Sequence, residues 1–348
     1  MITTNKIKQV VIGLQCSFEF NSSNQFASVS SLLNDARSDV GQWNFLKGVM
    51  TMFNLVSLPD PSNPNNILIE PYRDVFVSSN DSLNPNYFDN NSTELNWTPK
   101  VDASEMKLTP LTELNKKTIF KFVEDDDDYA FNTYKEAVFN HLYGSKVYDA
   151  SAYTILEGTK EIVAEPFAAT VVKPLMPQYD DIITPAIYAM NEDGTSAAFD
   201  NSPRIMYNNG VKTTISSYYI PAQNGQIAIP NETEYLQFSH LTDVPTITTI
   251  PPAATDTNDF HFGACQFVDP IIGSPTANNL FNLYWLPYYK ELYNPDTRTM
   301  TMKVNLTSSD VNKFSFYDVV MIKNRKFRVN KINYKPNDLA TVEFILIT

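Results

Sequence analysis

Glycine, histidine, cysteine and basic charge are all in short supply in this sequence. Ten glycines make up about 3% of the chain, against a usual ~7%, while prolines number 22. Loops held by Pro and Asn lose less chain entropy on ordering than glycine-rich ones, which suits a stiff building block better than a mobile enzyme lid. The two cysteines, Cys16 and Cys265, lie far apart and neither belongs to a CxxC pair. That argues against both a disulfide framework and a zinc knuckle.

Only three histidines are present, His141, His240 and His261, and no GxSxG pattern occurs. A nucleophile needs a base and an orienting group, and the sequence offers no such set. No apolar run approaches the ~18 residues of a membrane span. The start, "MITTNKIKQVVIGLQCSFEF", interleaves Lys with apolar residues and shows no signal peptide. Folding in a reducing cytoplasm without a membrane anchor is expected. Lys and Arg number 26 against 39 Asp and Glu, for a net charge of −13 and a pI near 4.7. Such an excess argues against a general affinity for nucleic acid or anionic lipid, while an acidic wall would let DNA pass without sticking.

What is present is a folded chain. Hydrophobic residues make up 43% of 348, enough for two or three domains with their own cores. "KIKQVVIGLQCSFEF" reads as one or two strands. "SDVGQWNFLKGVMTMFNL" reads as a helix capped by Ser38 or Asp39, with Trp43, Leu46, Met50 and Phe53 at helical spacing. Phe45, Val49 and Met52 widen that stripe, so the helix should be covered on two sides. Residues 74–96 are polar and Asn-rich, a surface loop. "KKTIFKFVEDDDDYAF" reads as a strand running into a helix that stops at Gly144. Residues 162–275 hold twelve prolines among Thr-, Ile- and Val-rich runs, which suggests a sandwich- or barrel-like module of short strands. In "TMTMKVNL", Met300, Met302, Val304 and Leu306 alternate with polar residues. With "DVVMI", "KFRVNKI" and "ATVEFILI" it makes four strands and a helix, a barrel-like or half-barrel unit. The expected class is α+β, mainly β, with small barrel-like domains, a Pro-rich β module and a few short helices. The expected divisions are residues 1–110, 111–275 and 276–348.

Each candidate site has a bland counterpart. Glu124 to Asp128 lacks the alternating spacing and glycine of a calcium loop, and a helix N-terminus explains it without a metal. "HFGAC" offers His261 and Cys265 as a soft ligand pair, but two ligands do not make a tetrahedral site. Lys323, Arg325, Lys326, Arg328, Lys331 and Lys335 form a basic stretch free of acids. It reads as a solvated strand face or a contact with an acidic subunit or a phosphate backbone. Tyr284, Trp285, Tyr288, Tyr289 and Tyr293 crowd one segment, "NLYWLPYYKELYNPDTR", a helix bent near Pro287. Amphipathic rings favour interfaces, so packing is the reading preferred over a sugar platform. No cofactor or metal ion and no enzymatic activity is expected.

Two groups of segments carry a family resemblance. "GQWNFLKGVMTMFNL", "ILIEPY", "NWTPKVDAS" and "FKFVEDDDDYAFNTYKEAVFNHLYGS", followed by "LYWLPYYKELYNPDTRTMTMKVNLTSSDVNKFSFYDVVMIKNRKFRVNKI", resemble baseplate or tail-tip hub proteins of tailed bacteriophages. The resemblance implies a homotrimer built into the virion tail and assembled in the host cytoplasm. Its neighbours would be tube, spike or fibre proteins, with DNA only as passing cargo. It also implies two related ring domains per subunit. Residues 299–348 would be one, with Trp285 to Tyr293 at its edge; the other would precede "GQWNFLKG", where the chain looks short for it. Tyr284, Trp285, Tyr288, Tyr289, Tyr293, Arg325 and Arg328 are the expected interface residues. A carbohydrate-binding or host-surface attachment module is the alternative.

Overall fold

The edges of one β-sheet organise half of this protein. The computed structural model describes residues 40–60, 63, 65–76, 94–110, 114–176, 179–187, 189–191, 193, 195–197, 202–220, 229–244, 257–263, 276–294 and 297–347. The expected N-terminal strands, the caps Ser38 and Asp39, and both cysteines lie outside these residues.

In chain order the elements begin with α1 (Gln42–Met52), β1 (Leu55–Pro59), β2 (Ile67–Pro71), α2 (Tyr72–Phe76), β3 (Glu94–Asn96) and β4 (Val101–Pro110). Next come β5 (Asn115–Val123), α3 (Tyr129–Ala137), β6 (Lys146–Asp149), β7 (Glu157–Ala168), β8 (Val172–Met176), β9 (Tyr179–Pro185), β10 (Ala189–Met190) and β11 (Ser196–Ala197). Then follow β12 (Tyr207–Ile220), β13 (Ile229–Ser239), β14 (Asn258–Asp259), β15 (Asn278–Asn279) and α4 (Leu286–Leu292). The last are β16 (Arg298–Val304), α5 (Ser308–Lys313), β17 (Val319–Ile322), β18 (Arg325–Asn333) and β19 (Ala340–Ile347). The protein is α+β and mainly β.

Two compact units are each assembled from separate stretches of chain. Among the described residues the first takes 40–52, 119–147 and 161–282, and the second 53–118, 148–160 and 283–347. This interleaving replaces the expected consecutive divisions at residues 110 and 275. Strand pairing is the reason, because β3 and β4 join a sheet otherwise made of the last fifty residues.

That sheet, in the second unit, has the order β3-β17-β18-β19-β16-β4. Its neighbours are antiparallel except β3 beside β17. The alternation expected in β16 holds: Met302, Val304 and, just beyond, Leu306 are buried in one core with Phe327, Val342 and Phe344. Burying each such side chain contributes roughly 1.5–3 kcal/mol. The two edge strands are consecutive in sequence, and this decides the shape. Six flat strands would set the outer two about 24 Å apart at ~4.8 Å per step. The link from Asn96 to Val101 reaches only about 17 Å fully extended. The sheet must therefore curl into a half-barrel. Trp97, in the link, is 3% exposed and packs against Phe314 and Phe344. The link is pinned by Trp97 N–H to the Met321 carbonyl (3.0 Å), Asn305 N–H to the Lys100 carbonyl (2.8 Å) and Lys323 N–H to Thr98 Oγ1 (3.1 Å). A capping box of Thr307 and Asp310 starts α5, and Lys100 Nζ reaches Asp310 Oδ1 at 2.5 Å. Charge-assisted contacts of this kind secure the closing link to the helix.

In the first unit, β8 pairs with β9 and β12 with β13, each as a two-stranded antiparallel ribbon. The described part of the Pro-rich region thus holds paired ribbons, and β12 runs for 14 residues where short strands were expected. Prolines still punctuate it, with Pro185 closing β9 and Pro203 preceding β12. Strands β5, β6 and β7 pair in the order β6-β5-β7 and contribute residues to both units.

The helix α1 corrects a further expectation. Gly48 and Met52 are buried, whereas Trp43 and Phe45 are exposed. Gly48 lies against the Glu165 carbonyl and the Phe167 ring of β7, where a Cβ would collide. Among the described residues the covered stripe is therefore narrow, set by one close approach. Likewise α3 ends at Ala137, not at Gly144, because Phe139 and Asn140 turn left-handed at φ 56° and 64°.

Candidate functional site

Three polar side chains from two stretches of chain meet in the core of the first unit: His240, Asp259 and His261, all under 5% exposed. His240 follows β13. Asp259 ends β14, which pairs in parallel with β15, and residues 260–263 continue as a held segment. Phe262 and Gly263 donate their N–H groups to the Gly144 carbonyl (3.0 and 3.1 Å), and Leu280 N–H donates to the His261 carbonyl (2.9 Å). Gly144 sits at φ +72°, and a Cβ there would come within 2.6 Å of the His261 ring. Both facts call for glycine. Phe262 is fully buried against Phe120 and Phe122.

Asp259 is the hub. His240 Nδ1 lies 2.7 Å from its Oδ1, His261 N–H donates to the same oxygen at 2.9 Å, and His261 Nδ1 stands 3.3 Å away. Thr276 Oγ1 donates to Oδ2 at 3.3 Å. Burial works to raise this carboxyl, but the charge and hydrogen bonds of His240 and His261 outweigh it and hold Asp259 well below the usual range. Thr170 N–H donates to His261 Nε2 at 3.0 Å. That bond needs a lone pair on Nε2, so the ring's single proton sits on Nδ1, toward Asp259. His261 is therefore neutral. Burial, then His240, push it down to about 4. His240 Nε2 is 3.2 Å from the Tyr143 hydroxyl, and the Tyr143 ring stands edge-on to both imidazoles.

The donor set invites a metal reading, since one atom from each residue falls within 4.8 Å of the others. The geometry argues otherwise. Ligands on a zinc ion with ~2.1 Å bonds stand ~3.3 Å or more apart, and His240 Nδ1 and Asp259 Oδ1 are at 2.7 Å. Coordination at His261 Nδ1 would also move its proton to Nε2, against the Thr170 N–H. Catalysis fares no better, because Tyr143 is 3% exposed and offers a substrate no approach. The cluster is a polar tie joining four chain segments. Sequence reasoning weighed His261 only with Cys265 and saw no third partner. The signal it missed was Asp259-x-His261, which places both side chains on one side of an extended segment.

In the second unit the aromatic segment is packing. Phe281–Trp285 winds as a π-helix and α4 starts at Leu286 with Pro287 in its first turn, where a missing N–H costs nothing. The expected bend is a change of helix type. Tyr289 and Tyr293 are buried and stacked 5.4 Å apart, with Tyr148 against both. The Tyr293 hydroxyl donates to the Asn115 carbonyl at 2.8 Å, and burial pushes the Tyr289 phenol up to about 12. Tyr288 packs on Tyr72 and Tyr284 on Phe53, while Trp285 is half-buried between Tyr288 and Tyr289. No flat row of exposed rings faces solvent here.

Arg328 corrects the basic-stretch expectation. Its Nη1 lies 2.5 Å from the Tyr72 hydroxyl and 2.8 Å from Glu291 Oε2, and Nη2 donates to the Phe76 carbonyl at 2.6 Å. The outward face of β18 at this position is covered by α2 and α4 of the same unit. Lys323, Arg325, Lys331 and Lys335 are exposed, and Lys326 pairs with Glu94.

The acidic run starts a helix, as expected, through one residue. Asp128 is the N-cap of α3, accepting from Phe131 N–H at 3.1 Å, and its Oδ2 lies 2.6 Å from Arg204 Nη2. Glu124 pairs with Lys121 (3.0 Å) and Lys135 (2.7 Å).

No helix among the described residues is long and apolar enough to cross a membrane. No protein-family model matches this chain, and no curated protein matches it either.

Proposed function

We propose that this chain is a structural, non-enzymatic component of a bacteriophage tail, a trimeric part of the tip hub that joins the tail tube to a spike or fibre. The half-barrel carries this reading. A small curled sheet, its edge strands joined by one short link and braced by α4, is a rigid stave of the kind a ring is built from. The internally paired charged groups support it too. Asp259, Asp128, Glu291 and Arg328 are each bound to protein partners, which suits load-bearing contacts better than turnover. An excess of 13 negative charges suits a wall past which DNA must slide.

Light scattering on the purified chain tests the assembly, and electron microscopy with tail tubes tests the place. A trimer that decorates one tube end supports the hub. A monomer that binds glycans, and loses them on Trp285→Ala, overturns it in favour of an attachment module.

A further inference from the structure

We propose that His261 is an acid-sensitive latch, whose protonation releases residues 257–263 and opens the first unit while the half-barrel stays folded. The geometry carries the argument. The latch segment is held by Gly144, Leu280 and Thr170, which are far apart in sequence, and by His240 through Asp259. Its own Phe262 is buried in the core, so release of the segment exposes apolar surface. Thr170 N–H points at the one ring nitrogen that would take up the proton. Protonation sets two N–H groups against each other at 3.0 Å and leaves both buried and unsatisfied, a costly state.

The groups facing His261 determine the direction. Asp259 lies on its own segment and would welcome the charge. His240 at the end of β13, with its ring 4.1 Å away, opposes it, as does Arg204. Tyr143 and Phe122 present ring contacts and no counter-charge. Arg204 is already paired with Asp128. All three histidines of the chain, His141, His240 and His261, belong to the first unit, so the half-barrel carries no imidazole to protonate.

The sign follows from linkage. His261 takes up its proton near 6.5 when the segment is open and near 4 when it is closed. Opening therefore binds a proton between these values, and its equilibrium rises as pH falls from 6.5 to 4. Between pH 7.5 and pH 5 the rise is roughly thirty-fold for one group.

Hydrogen exchange on the full chain, corrected for the intrinsic pH dependence of exchange, tests this. Protection at 143–145, 170 and 257–263 should fall roughly thirty-fold between pH 7.5 and pH 5, with 298–347 unchanged. Unchanged protection in the first unit, or parallel loss in both units, overturns the latch. In His261→Asn, whose amide keeps a donor toward Asp259 and gains no proton, the pH dependence should vanish even though opening is easier at every pH. In His141→Gln it should persist, and its loss there would assign the trigger to His141. If His261→Asn does not fold, the wild-type exchange pattern and His141→Gln still decide.

Discussion

Arg328 and Glu291 form a largely buried ion pair, Nη1 to Oε2 at 2.8 Å, that ties β18 to α4. The same nitrogen stands 2.6 Å from Oε1, yet that oxygen has no aligned hydrogen bond and is held by charge alone. The pair, with Tyr72 between, is what seats the aromatic helix on the outside of the half-barrel. Removing one partner of such a pair costs roughly 3–5 kcal/mol, since the other is left buried and charged. Arg328→Ala should unfold at markedly lower denaturant, whereas Arg325→Ala, exposed and unpaired among the described residues, should fall within about 0.5 kcal/mol of wild type. Chemical denaturation of the two side by side decides the matter, and equal effects would refute the assignment.

The acidic run should divide in the same way. Asp128→Ala removes both the α3 cap and the partner of Arg204, so a loss of roughly 3–5 kcal/mol is expected. Asp126→Asn with Asp127→Asn, on exposed side chains, should cost no more than ~1 kcal/mol. Calcium should leave the melting temperature of the wild type where it is. A rise of several degrees would reveal a calcium site that the committed Asp128 carboxylate argues against.

Gly144→Ala should be among the most damaging single substitutions. Left-handed backbone costs a non-glycine residue roughly 1–2 kcal/mol, and the added methyl meets the His261 ring at 2.6 Å, with overpacking worth another ~1–3 kcal/mol. Gly210→Ala, also left-handed at φ +74° but with open space around it, isolates the backbone part. The difference between the two losses measures the packing part, and no difference would mean that the ring yields freely.

The turn between β17 and β18 can be improved. Lys323 and Asn324 are both left-handed, at φ 46° and 65°, the conformation of a two-residue hairpin turn that favours Asn-Gly. Lys323→Asn with Asn324→Gly should stabilise the chain by about 0.5–1 kcal/mol, read as a higher denaturation midpoint. Destabilisation would mean that the Lys323 side chain has a role its exposure does not reveal.

Charge on the half-barrel should govern assembly more than folding. Residues 297–347 hold nine Lys and Arg against four Asp and Glu, in a chain with net charge −13. If the proposed tail assembly holds, Arg325→Glu with Lys331→Glu should slow association with its partners, an effect that weakens as salt rises. Subunit stability should barely change. Association kinetics that ignore both the charge reversal and salt would remove the basic stretch from the interface.

Local pattern was enough for much of the fold. The alternation of Met300, Met302 and Val304, the strand from Asn115 into α3, and the helix at Gln42–Met52 all rest on periodicities of two or 3.6, which neighbouring residues impose on one another. The mainly β class followed from the same signals. Three things lay beyond that reach, because each depends on residues meeting across long loops. The link at Trp97 closes a sheet whose other strands lie some two hundred residues on, and no local signal marks a strand's partner. Arg328 read as one more exposed cation, since its burial is set by α2 and α4 and not by its neighbours on β18. His240 carried no spacing that announced it, and only the threading of residues 257–263 past Gly144 and Thr170 brings His261 to it. Backbone propensity acts over a few residues, whereas burial and pairing are properties of the whole fold.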